Sequence, residues 1–92
     1  MEGQRILTNL PAEVKDRIIS KYGSLQYYYD TIVKLTDSYY KAFITHDERG
    51  KAAYEDARFR YAQELESWGV IDGLDVFDAI SGDADQMRIT GL

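Results

Sequence analysis

The chain of 92 residues contains no cysteine, a single histidine and a single proline. Without cysteine, disulfides, thiolate metal ligands and a cysteine nucleophile are excluded, so packing must supply the stability. No apolar run approaches the roughly 20 residues that span a bilayer, and the first residues lack the basic start and apolar core of a signal peptide. We therefore expect one cytoplasmic domain over residues 1–92, with no membrane partner.

Sequence motifs for catalysis or metal binding are scarce. The only histidine, His46, stands beside Asp47 and Glu48, but helix capping at a turn explains these three consecutive residues. The chain has no Gly-x-Ser-x-Gly sequence and no glycine-rich phosphate loop, and its aspartate-rich segment 72–85 does not match an EF-hand. The sequence predicts that the protein is not an enzyme and has no metal site and no cofactor.

Acidic residues outnumber basic ones, and the excess is concentrated at the C-terminal end. Of the net charge of -5, residues 1–71 contribute -1 and residues 72–92 contribute -4, because only Arg88 stands against five aspartates there. This distribution argues against direct nucleic-acid binding and against binding to anionic membranes, since both depend on clusters of Lys and Arg.

Apolar residues recur at helical spacing in the first half of the chain. A first amphipathic helix is predicted at about 10–22, between Pro11 and Gly23. Ser24 is a candidate N-cap for a longer second helix at about 25–45, whose apolar residues alternate steps of three and four. A second apolar row lies beside the first, and this broad apolar face is typical of a helical bundle core.

Residues 45–50 allow two interpretations. The sequence Thr45-His46-Asp47-Glu48 has the form of a capping box, which would begin a third helix at about 48–68. The alternative is one unbroken helix over residues 24–68, but its length of about 65 Å would need a partner chain to cover its apolar face. A hairpin that turns around residues 45–50 is the preferred interpretation.

The segment after Gly69 fits either a helix or a strand. Leu74, Phe77 and Ile80 are three residues apart, which favours a short helix at about 73–81, whereas Leu74 and Val76 alternate around an aspartate. We expect the helix, followed by a loose tail at 83–92. The predicted fold is all-α: a small three- to four-helix bundle with a long central helical hairpin.

Tyrosine is the most informative residue type, with eight copies of which three are consecutive. Three consecutive residues of a helix span about 200°, so they cannot all face one core. Tyr27 and Tyr40 lie off the main apolar stripe, and we predict that they form an aromatic ridge, extended by Phe59 of the facing helix. Tyrosine combines a large apolar ring with a polar tip, a combination enriched at protein interfaces.

Two functional hypotheses follow. The first is a non-enzymatic protein-interaction module that binds a protein partner through the aromatic ridge and an acidic surface. The acidic surface would consist of Asp72, Asp75, Asp78, Asp83 and Asp85. In one version these aspartates imitate phosphates and block a basic nucleic-acid-binding protein, as in small inhibitors or regulators of phages and mobile elements. The alternative is a structural homodimer or small homo-oligomer, in which the broad apolar face of the second helix packs against another copy.

Overall fold

The structure is a computed structural model that describes residues 1–90 and the side chains of residues 1–88. The described chain forms five helices and no strand: α1 (Glu2–Thr8), α2 (Ala12–Tyr22), α3 (Leu25–Ile44), α4 (Glu48–Ser67) and α5 (Gly73–Thr90). The prediction of an all-α fold is confirmed. Within residues 1–90, no helix has the length and apolar character needed to cross a membrane.

The core lies where α3, α4 and α5 pack together, and α2 covers one end of α3. A continuous series of aromatic contacts runs through this core, with ring centroids 4.4–5.8 Å apart. The rings follow one another in the order Tyr22, Tyr28, Tyr61, Phe77, Tyr54 and Tyr39. The five tyrosines of this series belong to the core, since Tyr28 is fully buried and the others are partly buried.

Ser24 caps α3 as predicted, because its hydroxyl accepts a hydrogen bond of 3.0 Å from the backbone N–H of Tyr27. The predicted capping box at the start of α4 was wrong. Asp47 is the N-cap and accepts from the Gly50 N–H at 3.1 Å. The Thr45 hydroxyl instead donates back to the carbonyl of Lys41, and His46 makes the turn in a left-handed conformation with φ of 60°. Three exposed residues, 45–47, therefore separate α3 from α4.

Helix α1 was not predicted, because its stability comes from a distant part of the chain. The carboxylate of Asp83 accepts hydrogen bonds from the backbone N–H groups of Gly3 and Gln4, at 3.0 and 2.9 Å. These are first-turn donors, which have no partner within the helix. At Gly3 the backbone approaches α5 so closely that a Cβ would lie 2.6 Å from the carbonyl oxygen of Ala79. Local sequence patterns cannot reveal a helix held in this way.

The predicted loose tail at 83–92 was wrong over the described residues. Helix α5 does not stop near residue 81 but continues to Thr90, and residues 91–92 lie outside the described part of the chain. Its buried side follows Phe77 and Ile80 to Asp83 and Ala84, which are 1% exposed. An aspartate at a core position hid the helical pattern, because a charged residue is expected to face solvent.

Candidate partner-binding surface

The tyrosines of the predicted aromatic ridge are exposed, but they do not form one surface. Tyr27 is 57% exposed and Tyr40 is 43% exposed. They are thirteen residues apart in α3, which corresponds to about 20 Å along the helix axis and about 140° around it. One compact partner surface cannot include both rings.

Phe59 is also exposed but faces away from α3. The rings of Tyr54 and Tyr61, on the same helix, contact Tyr39 and Tyr28 of α3. Phe59 points about 140–160° away from both Tyr54 and Tyr61 around α4. The predicted extension of the ridge by Phe59 is therefore not supported by the packing of α4 on α3.

The five aspartates do not form a continuous acidic surface. Asp83 is buried and bonded to α1, so its inclusion in an exposed surface was wrong. Asp78 forms a two-point pair with Arg58 of α4, with both N–O distances 2.8 Å, and this hydrogen bonding raises the pKa of Arg58. Asp85 pairs with Arg88 at 2.5 Å. Of the five aspartates, Asp72 and Asp75 are the two that are exposed and have no ion-pair partner among residues 1–88.

A cluster of exposed apolar side chains surrounds Tyr40, at the C-terminal end of α3. Phe43 and Ile44 are 59% and 57% exposed, and their spacing of three and four residues places them beside Tyr40 on the helix surface. Both apolar residues stand directly before the turn at residues 45–47. We call Tyr40, Phe43 and Ile44 the α3 apolar cluster.

A groove between α3 and α5 adjoins the α3 apolar cluster. Its cavity has a volume of about 340 Å³. The residues that line this α3–α5 groove are Val33, Asp37, Tyr40, Lys41, Ala84, Met87 and Arg88. Four of these side chains are apolar or aromatic and three are charged, with both signs present, a mixture that is common at protein-contact sites.

Arg88 lies over the ring of Tyr40, with its guanidinium carbon 3.8 Å from the ring centroid. The guanidinium also contacts two carboxylates, Asp37 of α3 at 3.1 Å and Asp85 of its own helix at 2.5 Å. The stacked Tyr40–Arg88 pair is therefore fixed by a cation–π contact and two ion pairs. Arg88 was not predicted as a site residue, although it is the only cation of the acidic C-terminal segment.

On the other side of the Tyr40–Arg88 pair lies a second, larger cavity of about 540 Å³, between α3, α4 and α5. We call it the tyrosine cleft. The residues that line it are Thr36, Tyr39, Tyr40, Tyr54, Ser81, Asp85 and Arg88. The rings of Tyr39 and Tyr54 pack against each other on one side, with centroids 4.4 Å apart.

Hydroxyl groups at the base of the tyrosine cleft form a chain whose direction can be assigned. The Thr36 hydroxyl donates its only proton to the Ile32 carbonyl at 2.9 Å, so in its 2.9 Å contact with Ser81 it must accept. Ser81 thus donates to Thr36 and accepts from Tyr54, whose hydroxyl is 2.9 Å away. A tyrosine hydroxyl is protonated at neutral pH, and burial raises the pKa of Tyr54 further, so the proton needed for this bond is present. All three hydroxyl protons are used, and lone pairs remain on Ser81 and Tyr54.

A second group of tyrosines surrounds Glu64 near the other end of the bundle. The Tyr22 hydroxyl donates to Glu64 at 2.5 Å, and Lys21 pairs with the same carboxylate. Burial raises the pKa of Tyr22, of Tyr28 and of Tyr61, and the nearby negative charge of Glu64 raises each further. These groups pack in the core and border neither of the two cavities described above, so we assign them to stability.

No three His, Asp or Glu side chains in the described part of the chain are arranged to hold a metal ion. The chain matches no protein-family model, no curated protein and no solved structure. Its function is therefore inferred from the chemistry of its own residues.

Proposed function

We propose that this chain is a non-enzymatic protein-interaction module that binds a protein partner through the α3 apolar cluster and the adjoining α3–α5 groove. The observation that carries the proposal is the exposure of three large apolar side chains, Tyr40, Phe43 and Ile44, side by side at the end of one helix. Single exposed apolar residues are common, but a cluster beside a groove is typical of a contact site.

The charged residues around the groove favour an oriented contact with a protein over a purely apolar one. Asp37, Lys41 and Arg88 line the groove, and rim charges of this kind set orientation and association rate. The narrower version of the hypothesis, a phosphate-imitating inhibitor of a nucleic-acid-binding protein, has less support. Of its five aspartates one is buried and two are paired with arginines, which leaves Asp72 and Asp75.

The homo-oligomer alternative keeps only part of the observation on which it depended. The second apolar row of α3 is covered within the same chain at Tyr29, which is 5% exposed and bonds to Asp83 of α5, whereas Tyr40 and Phe43 of the same row are exposed. The apolar face left for another copy is therefore the α3 apolar cluster and not the whole of α3. Self-association through the α3 apolar cluster is an outcome that the experiment below distinguishes.

The test is capture of a partner from a lysate of the organism in which the chain occurs, followed by titration of the purified partner. We expect Tyr40→Ala to weaken binding at least about tenfold, and Tyr40→Phe to retain most of it because the ring is kept. Tyr27→Ala is the matched control, since it removes an exposed tyrosine from another face of the same helix. A partner lost with Tyr27→Ala but not with Tyr40→Ala would overturn the assigned surface. Capture of the chain alone, with a melting temperature that rises with concentration, would favour the homo-oligomer.

A further inference from the structure

The tyrosine cleft has aromatic sides and a base that offers hydrogen-bond acceptors. Tyr39 and Tyr54 form one side, and Tyr40 borders the other. Because the proton of each hydroxyl in the chain from Tyr54 through Ser81 to Thr36 is already donated, the groups of this chain can only accept from a ligand. A site of this composition favours a ligand that brings N–H donors.

The cleft contains a carboxylate but has no net charge. Its charged lining residues are Asp85 and Arg88, which pair with each other. Arg88 also pairs with Asp37 of the α3–α5 groove, so its positive charge is divided between two carboxylates and Asp85 is only partly neutralised. Tyrosine faces carry negative potential, so they favour a cation in the same place.

The guanidinium of Arg88 already makes, within the chain, contacts of the kind proposed for a bound cation. It uses an aromatic face and two carboxylates at once, with Tyr40 at 3.8 Å and Asp37 and Asp85 at 3.1 and 2.5 Å. The remaining cavity, about 540 Å³, is lined on its far side by the same kinds of group: the Tyr39 and Tyr54 rings and acceptor oxygens.

We propose that the tyrosine cleft is a recognition site for a guanidinium or ammonium group, supplied by an arginine or lysine side chain of the protein partner. The role of the partner in this inference rests on the function proposed above. The cation lies against the rings of Tyr39 and Tyr54, donates to the remaining lone pairs of Ser81 and Tyr54, and shares the carboxylate of Asp85 with Arg88. A basic side chain inserted here would sit next to the α3 apolar cluster, so one partner segment could contact both.

The test uses N-acetyl-arginine methylamide as the probe and the citrulline analogue as the control, since citrulline has almost the same shape without the charge. Binding is followed by NMR shifts of the full chain. We expect saturable shifts at Tyr39, Tyr54 and Ser81 in the millimolar range, and binding of the citrulline analogue at least about tenfold weaker. Equal affinity for both probes, or shifts confined to other surfaces, would overturn the proposal.

Two variants test the assigned groups. Asp85→Asn and Tyr54→Phe should each weaken arginine binding by about three- to tenfold, because the first removes the only carboxylate among the lining residues and the second removes a hydroxyl acceptor. Asp75→Asn is the matched control, an exposed aspartate of the same helix outside the cleft, and should leave binding unchanged. Spectra that retain the native dispersion establish that each variant is folded. Unchanged binding in both cleft variants would contradict the assignment.

Two further comparisons test this inference separately from the proposed function. A peptide with arginine next to two apolar residues should bind at least about tenfold more tightly than the free probe, and Tyr40→Ala should remove that gain. Equal affinity for the peptide and the free probe would contradict a partner side chain as the source and leave a site for small organic cations. If a protein partner is captured through Tyr40 but neither N-acetyl-arginine methylamide nor the arginine peptide binds, the cleft proposal fails while the interaction function stands.

Discussion

The hydroxyl of Tyr29 donates a hydrogen bond of 2.8 Å to the carboxylate of Asp83, across 54 residues of sequence. This bond joins α3 to the point where α5 holds the first turn of α1. The preceding residue, Tyr28, is fully buried, yet its hydroxyl has no hydrogen-bond partner among the described residues. Two adjacent buried tyrosines therefore differ in whether their hydroxyl groups stabilise the fold.

Replacement by phenylalanine should change the free energy of unfolding differently for these two tyrosines. Tyr29→Phe should lower the free energy of unfolding by about 1–3 kcal/mol, since it removes a bond to a buried carboxylate. Tyr28→Phe should leave it unchanged or raise it by up to about 1 kcal/mol, because it removes a polar group that is buried without a partner. Urea denaturation of the two variants provides the measurement and each serves as the other's control. Equal losses would mean that Tyr28 has a hydrogen-bond partner.

Asp83 should control whether α1 is docked. It accepts from three donors, the N–H groups of Gly3 and Gln4 and the Tyr29 hydroxyl. In Asp83→Asn the new NH₂ group must face one of these donors, so we expect a loss of about 1–3 kcal/mol. Faster amide hydrogen exchange in residues 2–8 should accompany the loss, whereas Asp75→Asn should change neither quantity. Unchanged exchange in Asp83→Asn would show that packing alone holds α1.

Gly3 should be intolerant of any side chain. A Cβ at this position would lie 2.6 Å from backbone atoms of Ala79 and Ile80, which cannot rotate out of the way. Gly3→Ala should therefore cost about 1–3 kcal/mol, although alanine is the better helix former. Gly82→Ala is the matched control, because a Cβ there meets no atom within 4 Å. A stabilised Gly3→Ala variant would show that α1 does not pack closely on α5.

The sequence was sufficient where a helix depends on its own pattern and insufficient where it depends on a distant residue. Helices α2, α3 and α4 begin and end within about two residues of the predicted positions, since Ser24 and Gly23 act locally on the backbone. Helix α1 and the second half of α5 were missed because they support each other through Asp83. No local rule predicts that an aspartate 80 residues away will cap a seven-residue helix.

The candidate site was predicted only in part for a related reason. Exposure of Tyr27, Tyr40 and Phe59 follows from their positions off the apolar stripes, and all three are exposed. Which exposed residues lie together depends on how α5 crosses α3, and this crossing brings Arg88 to Tyr40 and Ser81 to Thr36. The pairing of Asp78 with Arg58 depends likewise on the packing of α5 on α4.

Leu35 of α3 and Leu65 of α4 should differ in their effect on stability. Leu65 is fully buried, so Leu65→Ala should cost about 2–5 kcal/mol. Leu35 is only half-buried and lines a surface cavity between α3 and α4, so Leu35→Ala should cost less than about 2 kcal/mol. Thermal and urea denaturation measure both losses. A larger loss for Leu35 than for Leu65 would contradict the packing of α4 against α5.

The protein should lose stability at alkaline pH because its core contains tyrosines that resist ionisation. Burial is the main cause that raises the pKa of Tyr22, Tyr28, Tyr29, Tyr54 and Tyr61 in the folded state. A tyrosine whose pKa is raised on folding contributes stability that is complete below its unfolded value of about 10 and is lost as the pH rises toward the folded value. We therefore expect cooperative unfolding above about pH 10. Tyrosinate absorbance should increase over the same pH range in which the helical circular dichroism signal is lost. Tyr28→Phe, which removes one such group without loss of a hydrogen bond, should move the midpoint to higher pH. Full ionisation of all eight tyrosines while the helices persist would contradict the buried positions of these five.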